Sequence, residues 1–254
     1  MEGSRVRRAL VVLCVFGTAW SPLRAAGQCC GDCNGDGQVT IAEVIKAVNR
    51  ALEEPCSDDH VCSGQRFPAS GQTTSYGPGS DGNVRAGAAL SYADNGNGTI
   101  TDNNTKLIWE KKDDSGGIHD KDNTYSWTTQ HGTMNGTMVT EFLAALNRVP
   151  CFAGHCDWRI PNIRELQSLV DYAVPAPGPV VNAIFHNAAA CAGCTDVTVG
   201  SCSCTASANY WSSTTVAANT VLAWSVFFYS GSVVDYGFVG KDSNAAVRAV
   251  RGGV

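Results

Sequence analysis

The sequence has no basic stripe. Its 18 lysines and arginines are outnumbered by 23 acidic residues, for a formal net charge of −5. No run of cations is available to neutralise phosphates, so nucleic acid is not an expected partner. Beyond the N-terminus no segment reaches the roughly 20 apolar residues that a membrane-spanning helix needs. Histidines occur at His60, His119, His131, His155 and His186, none of them in an HExxH pair. Neither a G-x-S-x-G elbow nor a glycine-rich phosphate loop is present, so no catalytic constellation is legible and no catalysis is expected. Glu110 with Asp113, and Asp157 with Glu165, are conceivable acid–base pairs. They stand at loops and helix starts, where carboxylates serve mostly as caps and turn residues.

What is present begins with an export pattern. Arg5, Arg7 and Arg8 precede the apolar stretch ALVVLCVFGTAW, residues 9–20, which is too short to span a bilayer. Ala25 and Gly27 supply small residues for cleavage before Gln28. Residues 1–27 therefore read as a signal peptide, and the product as secreted, periplasmic or surface-associated. Removing them takes away four arginines and one glutamate, which moves the net charge from −5 to −8.

Of 12 cysteines, Cys14 leaves with the signal. Cys29, Cys30, Cys33, Cys56 and Cys62 form an odd N-terminal group; Cys151, Cys156, Cys191, Cys194, Cys202 and Cys204 form an even second group. In an oxidising compartment these read first as disulfides, with Cys151–Cys156 a plausible small loop. The short spacings of CAGC and CSC also permit a four-thiolate zinc site.

The chain divides by composition into a small module at 28–55, a polar linker at 56–65 and a larger domain at 66–254. In the first, GDCNGDGQVTIAEV (residues 31–44) supplies the donors of an EF-hand calcium loop. Asp32, Asn34 and Asp36 offer side-chain oxygens, Gly37 makes the turn, and Gln38 gives its carbonyl. Thr40 contacts the ion directly or through water, and Glu43 closes the loop with both oxygens. An all-oxygen shell with a bidentate Glu favours Ca2+ over zinc or magnesium. Ile41, Val44, Ile45, Val48 and Leu52 follow at helical spacing, and bound calcium is expected to offset carboxylate repulsion and fold the module. The loop and helix resemble half of a dockerin, which implies a cohesin-like partner. Here one loop is present, closed by Glu43 and preceded by Ile41-Ala42, which is the pattern of a single EF-hand-like repeat.

In the larger domain GTITDNNTKLIWEK (98–111) predicts a hairpin, and ADNGNG before it an Asn-Gly turn feeding a strand. GTMVTEFLAALNRV predicts a helix with Met138, Phe142, Ala145, Leu146 and Val149 on one side. PNIRELQSLVDY predicts another, with Asn162 and Glu165 as a capping box and Ile163, Leu166, Leu169 and Val170 buried. LAWSVFFYSGSVVDYGFV divides into two β runs about Ser230-Gly231, and NAAVRAVRG supplies a last strand. Trp109, Trp158, Trp211 and Trp224 are expected to mark one core. Asp157 and Arg159 are expected to order their loop by ion pairs or hydrogen bonds. Arg248 and Arg251, three apart, cannot form one flat basic patch on a regular strand. The fold class is α+β: two helices against a mainly antiparallel sheet.

Several ordered pieces carry a family resemblance: ASGQTTSYGPGSDGNVRAG (69–87), YADNGNGTITDNNTKLIWEK (92–111), DWRIPNIRELQSLVDY (157–172), NYWSST (209–214), AWSVFFYSGSVVDYG (223–237) and VRAVRG (247–252). Together they resemble the Lcl C-terminal domain, a bacterial extracellular domain family. One departure is Lys106, where the family usually has glycine before the L-[IM]-W run. The resemblance implies a C-type-lectin-like fold and, in some members, surface adhesion or glycan binding. Sugar faces are read by exposed aromatics beside planar polar groups. The candidates for a ligand face are Tyr210, Trp211, Tyr229, Asp235, Tyr236, Lys241 and Asp242, with a saccharide or surface polymer as the expected partner. Phe227 and Tyr229 share one strand face, with Phe228 opposite.

The calcium reading has a direct test. A chelator should melt the helix of residues 28–55 while leaving 66–254 folded. Amide spectra of residues 28–55 that do not change on chelation would refute it.

Overall fold

The computed structural model describes residue 41 and residues 67–253, apart from 131, 188–192, 201 and 236–239. The expected signal segment, the expected calcium ligands Asp32, Asn34, Asp36, Gln38, Thr40 and Glu43, the expected linker and Tyr236 lie outside the described residues. Ile41 is helical, but its side chain is 81% exposed. The chain separates into two compact units, residues 1–64 and 65–254.

The second unit is α+β, with nine described strands in two sheets rather than one. β1 (Tyr92–Asp94), β2 (Thr99–Asp102), β3 (Leu107–Glu110) and β9 (Val250–Gly252) form an antiparallel sheet in the order β1-β2-β3-β9. The predicted hairpin is its centre, with Ile100 opposite Trp109. Its turn is built by one carboxylate: Asp102 accepts from the Asn104 and Thr105 amides at 2.8 and 3.3 Å and from the Thr105 hydroxyl at 2.7 Å. Lys106 completes the turn at φ 61°, in the left-handed region. The Asn-Gly turn forms as well, with the Gly96 amide donating to Asp94 Oδ1 at 2.9 Å.

β4 (Thr124–Ser126), β8 (Asn244–Ala246), β5 (Asn209–Thr215), β6 (Ala223–Phe227) and β7 (Ser232–Val234) form the second sheet in that order. It is antiparallel except where β5 and β8 run parallel through Tyr210 and Ala246. The β6–β7 hairpin turns about Ser230-Gly231 as expected, pairing Phe227 with Ser232. NAAVRAVRG is not one strand. It is β8 and β9, in different sheets, joined by Val247-Arg248-Ala249, so the chain crosses from one sheet to the other at a buried arginine.

Beside a small cluster of Cys194, Cys202 and Cys204, two large hydrophobic clusters result among the described residues. One holds Ile100, Trp109, Leu166, Leu169, Phe185, Tyr210, Val226 and Phe228; the other holds Trp127, Met138, Phe142, Leu146, Trp158, Trp211 and Ala223. The five-stranded sheet serves both, because successive residues such as Tyr210 and Trp211 point to opposite faces. The tryptophans therefore do not mark one core: Trp109 is in the first cluster, Trp158 and Trp211 in the second, and Trp224 is half-buried.

The helices follow their patterns with one shift each. Met138–Leu143 is a π-helical segment continued by an α-turn at Ala144–Leu146. The wide turn buries residues at a spacing of four, Met138, Phe142 and Leu146, and leaves Ala145 exposed and Val149 82% exposed, beyond the helix end. Ile163–Gln167 is shorter than its sequence pattern but carries the full capping box. The Asn162 side chain accepts from the Arg164 and Glu165 amides at 2.9 and 3.0 Å, and Glu165 accepts from the Asn162 amide at 2.8 Å. Leu166, Leu169 and Val170 are buried and Ile163 is half-buried. Arg159 grips the same Glu165 with two bonds of 2.8 and 2.7 Å, and Arg251 grips Asp157 at 2.7 and 3.1 Å. Cys151–Cys156 and Cys194–Cys204 are disulfides and Cys202 is also disulfide-bonded, which excludes the four-thiolate zinc alternative.

Lys106 gives a stability test. A β-carbon in the left-handed region costs more than glycine's extra chain entropy, so Lys106→Gly should stabilise by about 0.5–1 kcal/mol. Thermal unfolding should show a midpoint about 2 °C higher. Lys106→Ala, which keeps the β-carbon, should show no gain.

Candidate functional site

The late hairpin splits the sequence-derived ligand residues into two groups. Tyr210 is buried, its hydroxyl accepting from the Ala206 amide at 3.0 Å and its ring edge-on to Phe228. Trp211 is buried and its indole donates to the Tyr125 carbonyl at 3.0 Å. Lys241 is buried too, with its ammonium 3.9 Å from the Trp127 ring centroid, donating to Thr215 Oγ1 at 2.7 Å and the Thr220 carbonyl at 2.9 Å. These three are core residues, not parts of a ligand face. For Tyr210 and Trp211 the physical reason is that β5 is the central strand, covered on both sides, so alternation along it leaves no outward set, whereas Lys241, outside the strands, is drawn in by Trp127, Thr215 and Thr220.

Tyr229, Asp235 and Asp242 are exposed. Beyond β6 the strand alternation does produce an outward face: Phe228 is fully buried, while Phe227 and Tyr229 turn away from it. Their rings stack with centroids 5.4 Å apart and planes 17° apart, and Tyr229 is 44% exposed.

A second place lies after β3, in KKDDSGGIHDKDN, where the sequence suggests only Asp113 as half of a conceivable acid–base pair. The loop closes on itself through Asp120, whose oxygens accept from the Gly116 and Asp122 amides at 2.6 and 2.8 Å. Asp114, Asp120 and Asp122 bring one carboxylate oxygen each within 4.8 Å of one another, a group that can hold a divalent cation such as Ca2+. Asp120 is buried and the other two are exposed. Lys121 already offers a charge there, 3.1 Å from Asp114 and 2.5 Å from Asp122. Burial works against that ammonium, but the bonds it donates to Asp122 and Asp114 raise its pKa above the ordinary lysine value. A metal ion would have to displace it.

Beneath this loop runs a buried ionic network. Glu110 Oε1 receives the Lys112 ammonium at 3.0 Å and faces His119 Nδ1 at 2.8 Å, while Oε2 accepts from the Ala249 amide at 2.9 Å. Burial alone would raise the Glu110 pKa; Lys112, His119 and the Ala249 amide together lower it. Lys112 is also lowered, because its burial outweighs the attraction of Glu110. Lys111 points elsewhere, to Asp94 at 2.7 Å and the Val199 carbonyl at 2.8 Å. Arg248, buried, donates to the Glu110 carbonyl at 2.8 Å and Thr205 Oγ1 at 2.7 Å, with the Phe185 ring 5.4 Å away. Both carboxylate pairs considered as acid–base candidates are tied up separately: Glu110 with Lys112 and His119, Asp157 with Arg251, Glu165 with Arg159.

Two small sheets, short helices of which Ile163–Gln167 carries a capping box, and disulfide-pinned loops define a stapled α+β domain whose charged residues serve largely to hold it together. Residues 98–251 match the Lcl C-terminal domain model, more than half of the chain, and the chain belongs to that family. The match begins at the turn before β2, so the stretch 69–87 lies outside it. No curated protein shows significant similarity to the chain.

The network sets an acid limit on stability. Folding lowers the Glu110 pKa from its ordinary 4.5, so its contribution is complete above that value and is lost as pH falls through the lower folded value. Glu110→Gln strands the Lys112 charge in the interior and should cost about 3–5 kcal/mol. Denaturant unfolding should show that loss at neutral pH and a flatter dependence on pH below 4.5 than in the unaltered protein.

Proposed function

We propose that the protein is a secreted or surface-associated binding protein, and that its Lcl C-terminal domain, lectin-like in fold, attaches to a saccharide or surface polymer. The observation that carries this reading is the outward Phe227–Tyr229 stack at the end of β6. Paired rings on a rigid hairpin offer a flat apolar platform at low entropic cost, suited to the C–H face of a sugar ring. Asp235, exposed just past β7, offers a carboxylate to hydroxyls on the same hairpin. The export pattern at residues 1–27 and the disulfides support the compartment. No described helix is long and apolar enough to cross a membrane. The calcium module at 28–55 is read as a folding clip or an attachment point beside this binding domain. The Asp114, Asp120 and Asp122 group gives the domain itself a means of responding to divalent cations.

The test is a saccharide array probed with and without chelator. Tyr229→Ala, an exposed position, should keep the near-ultraviolet circular dichroism of the fold and lose about tenfold or more in retention, as expected for an aromatic anchor. Absence of retention on every saccharide and glycosaminoglycan would sink the proposal.

A further inference from the structure

The segment before the family match builds a cleft of about 340 Å³ against the domain, with Gln72, Asp81, Arg85 and Leu90 on one wall and Asp171 and Asn182 on the other. Its volume is at the small end for ligand sites. Asp171 is a buried residue, and among the described residues no basic side chain forms an ion pair with it. Among the described residues its oxygens accept only the Ala173 amide at 3.0 Å and the Asn182 side-chain amide at a long 3.5 Å. Of the other buried carboxylates, Asp113 is served alike, by the Ser115 amide and hydroxyl at 3.4 and 2.9 Å, and three are better served. Asp102 takes three donors, Asp120 two short ones, and Glu110 a lysine, a histidine and an amide. A carboxylate offers about four acceptor sites, so Asp171 keeps unused capacity at the cleft wall.

The backbone is shaped around that group. Gly71 sits at φ 92°, and a β-carbon there would lie 2.1 Å from Asp171 Oδ1. Only glycine lets the backbone of the wall pass so close to the carboxylate. Across the cleft, Asp81 is held by the Ser70 hydroxyl. Arg85 is committed to backbone, donating to the Gly82 carbonyl at 3.2 Å and the Thr73 carbonyl at 2.9 Å. The lining thus carries two carboxylates and one guanidinium that is fixed on carbonyls. Buried charge calls for a counter-charge. An anionic ligand would meet both carboxylates, and a neutral one would leave Asp171 uncompensated. Among the described residues no aromatic ring lines the cleft, so none of them offers stacking on a sugar face there.

We propose that this cleft binds a small ligand through a primary ammonium group, received by Asp171 with Asp81 at the rim. The site is separate from the Phe227–Tyr229 platform and does not depend on it. The ammonium could come from an amino sugar or from an alkyl amine, and both present the same group to Asp171.

The experiment is an amide-resolved NMR titration of the full chain with glucosamine, with cadaverine, and with N-acetylglucosamine, which has the same ring but an acylated nitrogen. Glucosamine, cadaverine or both should move the amides of Gly71, Gln72 and Asn182 with saturation at roughly millimolar concentration, as expected for so few ligand atoms. The stronger of the two identifies the source. N-acetylglucosamine should leave those amides in place. Asp171→Asn should weaken binding at least about tenfold, and so should Ala89→Trp, which fills the cleft from an exposed lining position and keeps Asp171. Tyr229→Ala should change nothing, which separates this result from the fate of the hairpin platform. The proposal is overturned if neither amine moves the cleft amides, if N-acetylglucosamine moves them equally, or if both cleft variants bind as well as the unaltered chain.

Discussion

The domain is held together by the way Glu110 and the Arg248-Ala249 crossover grip each other. Arg248 donates to the backbone carbonyl of Glu110, and the Glu110 carboxylate accepts from the amide of Ala249. The two contacts fasten the end of β3 to the segment where the chain leaves one sheet for the other. Arg248 also reaches the Thr205 hydroxyl at 2.7 Å and the Cys204 carbonyl at 3.4 Å, which brings in the disulfide-pinned loop. Without an arginine here the crossover would be a buried, irregular backbone with its carbonyl partners unmet. The guanidinium suits the place because its donors form a rigid fork and its charge persists under desolvation. Burial does push its pKa down.

Local chemistry was the most legible part of the sequence. The Asn162–Glu165 box, the Asp102 turn, the β6–β7 hairpin and the Cys151–Cys156 loop each depend on residues within a few positions of one another, and each formed. What depended on distant partners was not legible. NAAVRAVRG reads as one strand because periodicity cannot report that β8 pairs with β4 while β9 pairs with β3. Tyr210 and Trp211 read as a ligand face because alternation promises one outward side, and that promise fails for a strand covered twice.

The same limit explains the charged residues. EKKDD ends β3 and enters the next loop, yet Glu110, Lys111, Lys112 and Asp113 are all buried. Lys111 finds Asp94 and the Val199 carbonyl, and Glu110 finds the Ala249 amide, far along the chain, and a run of charges carries no mark of that; Lys112 pairs with Glu110 two positions away. A usable signal was present: a strand whose last residue is Glu, followed at once by two lysines, offers an ion pair already in place for burial. The cleft at Asp171 gave no comparable sign, since its two walls lie about a hundred positions apart, as in the Gln72–Tyr172 bond. The outward Phe227–Tyr229 pair was legible as a face, and the structure decided which side of the strand it was.

The pairing of β3 with β9 bears on how the molecule comes into being. The bond from Arg248 to Glu110 spans 138 positions, so the first sheet stays unfinished until almost the entire domain is available. Contacts this distant are slow to find, because a long loop must close before they repay its entropy. A chain that emerges from its N-terminal end therefore remains open, its Trp109 layer uncovered, until the last strand arrives. Such a domain is late to close, and a late-closing chain can be threaded through a narrow passage before it becomes too compact to pass.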